Sequence, residues 1–213
     1  ITTTSALANE LKNYVADVYI NRNVASEKML KYSERAKANV QKEKDKIILG
    51  YFSGSITHNS DFEMILPAIK KVMQENSNVY LKVVGELNLP KELADLKDRI
   101  ISSPFMEWKK LPELIASVDI NLAPLEDTLF NAAKSENKWV EASMVGVPTI
   151  ASNIGAFAEE IEHGVDGILC ANEKEWEEQL QHLIKDKDYR RKIGETAYKG
   201  SRKRVTTYSG RGV

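Results

Sequence analysis

Short apolar segments alternate with amphipathic helical patterns over most of the chain. The apolar segments are four to seven residues long and rich in Ile, Val and Leu, which is typical of strands buried on both faces. Such strands, separated by helices, predict a parallel sheet covered by helices on both sides. The expected fold class is therefore α/β, a doubly wound, six-stranded Rossmann-like sheet. The predicted strands are 47–52, 79–85, 99–103, 119–125, 148–152 and 168–171.

Polar and proline residues mark the ends of the predicted helices. Thr4 or Ser5 can cap a first helix over residues 3–14, and Ser135 is a fair N-cap for the helix that follows it. Residues 17–20 (DVYI) predict one more short strand near the start of the chain. The other predicted helices are 61–74, 90–97, 112–117, 135–145, 156–162, 173–185 and a basic helix that begins at residue 188.

The composition excludes several classes of protein. The 213 residues are 42% hydrophobic and 29% charged, which is enough to bury a core without disulfides. The formal net charge of −1 argues against a nucleic-acid partner held by bulk positive charge. The single cysteine, Cys170, excludes an intrachain disulfide and a zinc site built from several cysteines. No apolar run approaches the roughly 18 residues of a membrane span.

The loop SGSITHNSD (53–61) follows the first predicted strand and carries residues suited to an anion. Ligands of parallel sheets bind beyond the carboxyl ends of the strands. Gly54 permits a close approach, and hydroxyl side chains ahead of a helix start suit a phosphate. The same loop is also typical of an ordinary strand-to-helix turn. The chain has no G-x-G-x-x-G or G-K-[ST] motif, so neither the common dinucleotide site nor a P-loop is indicated.

Two lysines stand beside the helix start that follows the predicted strand 119–125. Lys134 and Lys138 are unfavourable for the helix dipole there, unless an anion lies among them. Glu141 follows about one turn later and can accept two hydrogen bonds from hydroxyl groups. The alternative is a solvated Lys/Glu face, the usual meaning of charges on a helix. The residues alone do not separate these two interpretations.

The run KSENKWVEASMVGVPTIAS (134–152) resembles the donor-site signature of retaining glycosyltransferases of the GT-B group, family 4 or "group 1". The similarity continues in GYFSGSITHNSDF (50–62), VDINLAPLED (118–127) and HGVDGIL (163–169). It implies two Rossmann-like domains, of which this chain holds the donor-nucleotide half. The implied parts are the end of an acceptor domain with a connector (1–45), a nucleotide-sugar-binding domain (46–198) and a tail (199–213).

The resemblance also implies roles for individual residues. Glu141 would bind the ribose hydroxyls, backbone N–H groups around Ser135 would hold the diphosphate, and the loop near Phe105 would meet the base. Lys134 and Lys138 would supply positive charge to the diphosphate. The full set of nucleotide-sugar-binding residues implied in this way is Gly54, Ser55, Thr57, Lys134, Ser135, Lys138 and Glu141.

The chain departs from the family pattern at two places. Ala133 stands where a second Glu usually reaches the donor sugar, which puts that role in doubt. Basic residues common in the first loop are replaced by Ser55 and His58. The residues considered for contacts with the donor sugar or the base are His58, Phe105, Glu126 and Asn131, with Asp127 beside them.

The activity implied is transfer of a sugar from a nucleoside-diphosphate sugar to a polysaccharide or glycolipid acceptor, with retention. Helix N–H groups and two ammonium groups can stabilise the leaving diphosphate, so we expect no metal and no cofactor. Glu126 and Asp127 lack a third ligand and are more typical of a solvated loop than of a metal site. Because the acceptor-side groups belong to the absent half, we expect negligible transferase activity from this chain alone.

Two alternatives stay open. A sugar-nucleotide epimerase or phosphorylase uses the same two-domain plan, and a doubly wound domain with a decayed site would only bind a partner. The resemblance further implies a cytoplasmic protein at the inner face of the membrane, while the composition predicts no transmembrane segment and no nucleic-acid partner. It leaves open a peripheral association of the full-length protein with the membrane. The chain has no initial Met and begins in a helical pattern, so we expect it to be a piece of a longer protein.

Overall fold

Six parallel strands form one sheet in the computed structural model, which describes residues 1–54 and 59–207. The strands are β1 (Ile47–Ser53), β2 (Val79–Gly85), β3 (Ile100–Ser103), β4 (Ile120–Ala123), β5 (Thr149–Ser152) and β6 (Ile168–Cys170). Their order is β3-β2-β1-β4-β5-β6, and each neighbouring pair is parallel. The direction of winding changes between β1 and β4, which is where such sheets place a ligand crevice.

Helices cover both faces of this sheet, so the predicted fold class is confirmed. Several helices begin at a side-chain oxygen that accepts from a backbone N–H group of the first turn, at Thr4, Ser26, Thr128, Asn172 and Asp186. The helices are α1 (Ser5–Leu11), α2 (Glu27–Asn39), α3 (Asn59–Glu63), α4 (Leu66–Glu75), α5 (Leu111–Ala116), α6 (Leu129–Ala132), α7 (Asn137–Met144), α8 (Gly155–Glu160), α9 (Glu173–Lys185) and α10 (Lys187–Arg204), with 3-10 helices at Lys91–Arg99 and Trp108–Lys110.

Strand β1 contributes to the core on both sides of the sheet. Leu49 and Tyr51 are fully buried in a cluster that also contains Phe62 of α3. Ile48, whose side chain points to the opposite face, belongs to a cluster with Val145 near the end of α7. Burying an apolar side chain of this size contributes about 1.5–3 kcal/mol, so β1 anchors both helical layers and fixes where its carboxyl end lies.

The helix predicted over 61–74 is two helices, α3 and α4. Pro67 lies in the first turn of α4 and has no N–H to donate. Its ring would also clash with the carbonyl of residue 63 in a continuous helix, so the chain breaks before it. The predicted helix 90–97 is likewise a 3-10 helix, since Leu93 N–H donates to the carbonyl of Pro90 three residues before it.

The strand predicted at 17–20 is wrong. In this segment the backbone pairs with the single residue Thr2, whose N–H donates to Tyr19 and whose carbonyl accepts from Asn21. One bridge of this kind does not make a strand. The basic helix of the tail is present as α10, which runs to Arg204 and therefore past the predicted domain boundary at residue 198. Among the described helices none is both long and apolar enough to cross a bilayer.

Candidate functional site

The carboxyl ends of β1 and β2 approach each other closely. Gly85 ends β2 with a φ of +94°, and a Cβ there would lie 2.0 Å from the carbonyl oxygen of Ser53. Only glycine accommodates both this backbone and this contact. At Gly54, where the sequence predicts the close approach of a ligand, a Cβ would meet no described atom within 4 Å, and that prediction stays a prediction. Gly54 therefore faces open space, and Gly85 is the glycine that the sheet edge requires.

The space beside Gly54 is a cavity of about 270 Å³, here called the central cavity. Its wall is largely apolar, and Lys138 and Glu141 of α7 provide its charged groups. Phe105, which follows β3, stands on the rim with 70% of its surface exposed. The fold thus brings together four of the predicted site residues, which come from two separate loops and one helix. The residues that line the cavity are Phe52, Ser53, Gly54, Val84, Phe105, Met106, Trp108, Leu111, Leu114, Lys138 and Glu141.

Two further cavities border the first turns of α7. One of about 410 Å³, the connector cavity, lies between residues 23–26 and α7 and shares Trp108 and Glu141 with the central cavity. The other, of about 390 Å³, is lined by Lys134, Ser135 and Lys138 and is here called the α6–α7 cavity. Lys138 therefore borders both the central cavity and the α6–α7 cavity. The start of α7 stands where the three cavities converge.

The ammonium group of Lys138 is buried at this point. Within the described ranges its Nζ has no hydrogen-bond partner, and it lies 4.9 Å from the centre of the Tyr51 ring. Burial lowers the pKa of Lys138 to about 8, while Asp61 and Glu141 oppose that shift. A buried cation without a hydrogen-bonding partner is destabilising, and a bound anion would remove that penalty.

Glu141 is a half-buried residue whose carboxyl group is largely shielded from solvent. Burial raises its pKa to about 7, and the neighbouring Lys138 acts in the opposite direction. The group therefore changes its charge near neutral pH. As a carboxylate it offers only acceptor oxygens, which suits a pair of hydroxyl donors.

The start of α7 lies one residue later than predicted. The N-cap is Glu136 and not Ser135, and no side chain makes a capping hydrogen bond to the first turn. The Ser135 hydroxyl is used elsewhere, because it accepts a hydrogen bond of 2.8 Å from Nδ2 of Asn23. Backbone N–H groups at such a helix start carry partial positive charge toward the cavities.

Lys134 lies beside a buried carboxylate that sequence reasoning missed. Its Nζ is 3.5 Å from Oδ2 of Asp61 and 5.1 Å from the centre of the Phe130 ring. Asp61 is 1% exposed and accepts hydrogen bonds from the Glu126 N–H and the Asn131 side chain. The sequence places Asp61 at the end of the first loop, where an acidic residue indicates only the start of a helix.

Asn131 of α6 and Glu126 of the loop after β4 are the predicted sugar or base contacts, and the Asn131 side chain and the Glu126 backbone have structural partners instead. Asn131 is buried, and its Nδ2 donates to Asp61 and to the carbonyl of Glu126. Among the described residues, neither of the two belongs to the linings of the three cavities. The predicted residues Ser55, Thr57 and His58 lie outside the described residues. In residues 1–54 and 59–207, His, Cys, Asp and Glu side chains form no group of three or more that could hold a metal ion.

The family model described as "Glycosyl transferases group 1" matches residues 47–186. The chain belongs to this family. A curated relative of this group 1 chain, the uncharacterized glycosyltransferase MJ1607 of Methanocaldococcus jannaschii, is 27% identical over 130 residues. That match covers 58% of the chain and 31% of the relative, so the chain spans about a third of that relative's length.

Solved structures of other glycosyltransferases share the fold of this group 1 chain. The structure of Anabaena Alr3699/HepE in complex with UDP and glucose has a TM-score of 0.76 and 16% identity, and covers 99% of this chain and 60% of HepE. The C-terminal domain of the group 1 protein LpcC from Francisella tularensis has a TM-score of 0.59 and 20% identity. Here the match covers 87% of this chain and 96% of that domain. At these identities the likeness shows the GT-B domain fold.

Proposed function

We propose that this chain is the donor-nucleotide-binding half of a retaining, family 4 glycosyltransferase. It would bind a nucleoside-diphosphate sugar at the start of α7, and the whole enzyme would transfer the sugar to a polysaccharide or glycolipid acceptor without a metal ion. The retention, the family 4 assignment and the acceptor class rest on the resemblance of residues 134–152 to the donor-site signature. Membership of the group 1 family supports the class of reaction.

The buried ammonium of Lys138 carries the proposal. It has no hydrogen-bond partner among the described residues, yet it borders two cavities beyond the carboxyl ends of the strands. A purely structural lysine would reach solvent or an acid, because an unpartnered buried charge is costly. A ligand with negative charge explains why the cation is kept at this place.

The geometry suggests how the donor would lie. The largely apolar wall of the central cavity suits a nucleotide base, which could stack on the rings of Phe105 and Trp108 in the cavity lining. Glu141 lies at the border with the connector cavity, where its carboxylate would accept from the ribose hydroxyls. The diphosphate would then meet Lys138 and the first turn of α7 at the edge of the α6–α7 cavity, within reach of Lys134, and the sugar would extend further into that cavity.

This arrangement supports departure of a nucleoside diphosphate. Negative charge grows on the diphosphate as its bond to the sugar breaks, and preorganised positive groups stabilise that charge most strongly in a site shielded from water. Lys138 and the uncapped N–H groups of α7 are positioned for this role. Lys134 and Lys138 would supply the positive charge of the basic residues that the family often has in its first loop. An ammonium is a point charge, however, and cannot bind a phosphate through two parallel hydrogen bonds as the planar guanidinium of arginine does.

A decayed domain that binds a partner without catalysis is the second candidate, and Ala133 favours it. The carbonyl of Ala133 accepts from the Thr4 hydroxyl, so the residue serves the contact with α1. Its methyl side chain cannot hold a sugar hydroxyl. The proposed site keeps Lys138 and Glu141 in a cavity, however, and this pair supports nucleotide binding whatever the fate of the sugar contact.

Binding of nucleoside diphosphates tests the proposal. Calorimetric titration with UDP, GDP and ADP should show saturable binding of at least one of them. Glu141→Gln and Lys138→Met should each weaken it roughly tenfold or more, since one hydrogen-bonded charge contributes about 1.5–3 kcal/mol. The exposed residues Glu195 and Lys192 of α10 provide matched controls as Glu195→Gln and Lys192→Met. Absence of binding for all three nucleotides would reject the proposal.

The transferase activity needs the rest of the protein. The chain spans 60% or less of the relatives compared above in full length, and groups that bind the acceptor would come from the other half. We therefore expect negligible sugar transfer by these 213 residues, and full activity only from the longer protein. Turnover by the chain alone, measured as release of UDP or GDP in the presence of an acceptor, would contradict this part of the proposal. Within the cell we place the enzyme on the cytoplasmic side, at the membrane where such acceptors are assembled.

A further inference from the structure

Asp61 is a buried carboxylate that lies next to Lys134, beside the proposed diphosphate site. Its side chain is almost fully buried, and it lies in α3, directly after the loop that follows β1. Its Oδ1 accepts from the Glu126 N–H at 2.9 Å and from Asn131 Nδ2 at 2.8 Å. The donors come from the loop after β4 and from α6, which follows it, so one carboxylate joins the segments on either side of the crevice.

The same carboxylate is the partner of the positive groups. Its Oδ2 lies 3.5 Å from Nζ of Lys134, and its charge also acts on the ammonium of Lys138. The Lys134 side chain is 24% exposed, so its ammonium can reach either Asp61 or a ligand in the α6–α7 cavity. The Asp61 carboxylate is held in place by the Glu126 N–H and the Asn131 side-chain amide, so it cannot turn toward a ligand in the same way.

We propose that Asp61 is the resident counter-ion of the diphosphate site, and that a bound nucleoside diphosphate competes with it for the ammonium of Lys134. The inference rests on the proposed function and adds a positioning residue to it. Asp61 holds Lys134 and the loop after β4 in place when the site is empty. When the diphosphate binds, Lys134 turns from Asp61 to a phosphate oxygen.

The electrostatics explain why such a group is useful. The half-buried Lys134 and the buried ammonium of Lys138 repel each other, and Asp61 offsets this repulsion in the nucleotide-free protein. In the occupied site the same carboxylate repels the diphosphate and weakens its binding. Because product release limits many transferring enzymes, a built-in competitor would shorten the time that the nucleoside diphosphate stays bound.

The test compares a charged ligand with its neutral counterpart. The ligand pair is the tightest-binding nucleoside diphosphate among UDP, GDP and ADP, and the corresponding nucleoside. Asp61→Asn keeps Oδ1 as an acceptor and removes the charge, so it should tighten diphosphate binding roughly three- to tenfold and leave nucleoside binding unchanged. The gain should disappear in the Lys134→Met background. Asp98→Asn, on the exposed part of the 3-10 helix, changes the net charge equally and should have no effect.

An unchanged or weakened diphosphate affinity in a folded Asp61→Asn protein would overturn the inference, as would a gain that persists in Lys134→Met. If Asp61→Asn does not fold, a structure of the unaltered chain with the nucleoside diphosphate decides. The inference expects Lys134 Nζ on a phosphate oxygen, and Nζ still on Asp61 would overturn it. Failure of the unaltered chain to bind any nucleoside diphosphate would overturn the proposed function as well, which distinguishes the two failures.

Discussion

Lys138 and Glu141 lie about one turn apart on α7, line the same cavity and shift each other's pKa toward the charged form. Burial acts on both in the opposite direction and is the larger effect, so the pKa of Lys138 is about 8 and that of Glu141 about 7. In the nucleotide-free protein, folding therefore disfavours the charged forms of both side chains. A ligand with an anion and hydroxyl donors would restore both charges.

Nucleotide binding should depend on pH on both sides of neutrality. Glu141 accepts from hydroxyls best as a carboxylate, above its pKa of about 7, and Lys138 attracts the diphosphate as an ammonium, below its pKa of about 8. We expect calorimetric affinities to be highest between pH 7 and 8 and to fall at pH 6 and pH 9. Glu141→Gln should remove this residue's part of the fall on the acid side and keep the fall on the alkaline side. An affinity that rises steadily to pH 9 would contradict the role of Lys138.

Removing the charge of Glu141 should stabilise the nucleotide-free domain. A carboxyl group whose pKa is raised in the folded state destabilises the fold as pH rises from the ordinary value of 4.5 to about 7, and the full penalty persists above that. Glu141→Gln should therefore increase the free energy of unfolding by on the order of 1–2 kcal/mol at pH 8, and by little at pH 4.5. Denaturant unfolding at the two pH values measures this, with Glu195→Gln as the control. Equal effects of Glu141→Gln at both would argue against a buried charge.

The two glycines at the sheet edge should respond differently to the same substitution. At Gly85 a Cβ meets the Ser53 carbonyl at 2.0 Å with φ at +94°, so Gly85→Ala should destabilise the domain by at least about 2 kcal/mol. At Gly54 the added methyl group meets no described atom within 4 Å, so stability should change little. Gly54→Ala narrows the central cavity and should instead weaken nucleotide binding. Comparable losses of stability in the two variants, measured by thermal unfolding, would contradict this distinction.

The hydrogen bond between Asn23 and Ser135 ties the connector to the start of α7. It spans 2.8 Å, and the neighbouring Arg22 forms ion pairs with Glu159 and Glu160 of α8. Asn23→Ala and Ser135→Ala should each weaken nucleotide binding about two- to fivefold, because the loop that carries Lys134 loses a support. The variant that carries both substitutions should bind the nucleotide no more weakly than the weaker-binding of the two single variants. Additive losses in this double-mutant cycle would show that the two residues act separately.

The sequence was sufficient to predict the sheet and the helix that carries the proposed site, because the apolar strands and the Lys-Glu pattern of α7 are local signals. Strand β2 and helix α9 have the predicted bounds. Asp61 and Asn23 could not be found in this way, since their partners lie 65 to 112 residues away and depend on how the sheet is wound. The prediction of Ser135 as the N-cap of α7 was wrong for a related reason, because its hydroxyl accepts a hydrogen bond from the distant Asn23. The roles of Ser55, Thr57 and His58 stay predictions.

A structure of this chain with a nucleoside diphosphate tests the central claim most directly. The account predicts phosphate oxygens within hydrogen-bonding distance of Lys138 Nζ and of the first N–H groups of α7, and the ribose hydroxyls on the Glu141 carboxylate. A nucleotide bound elsewhere, with Lys138 still buried and unpartnered, would contradict it.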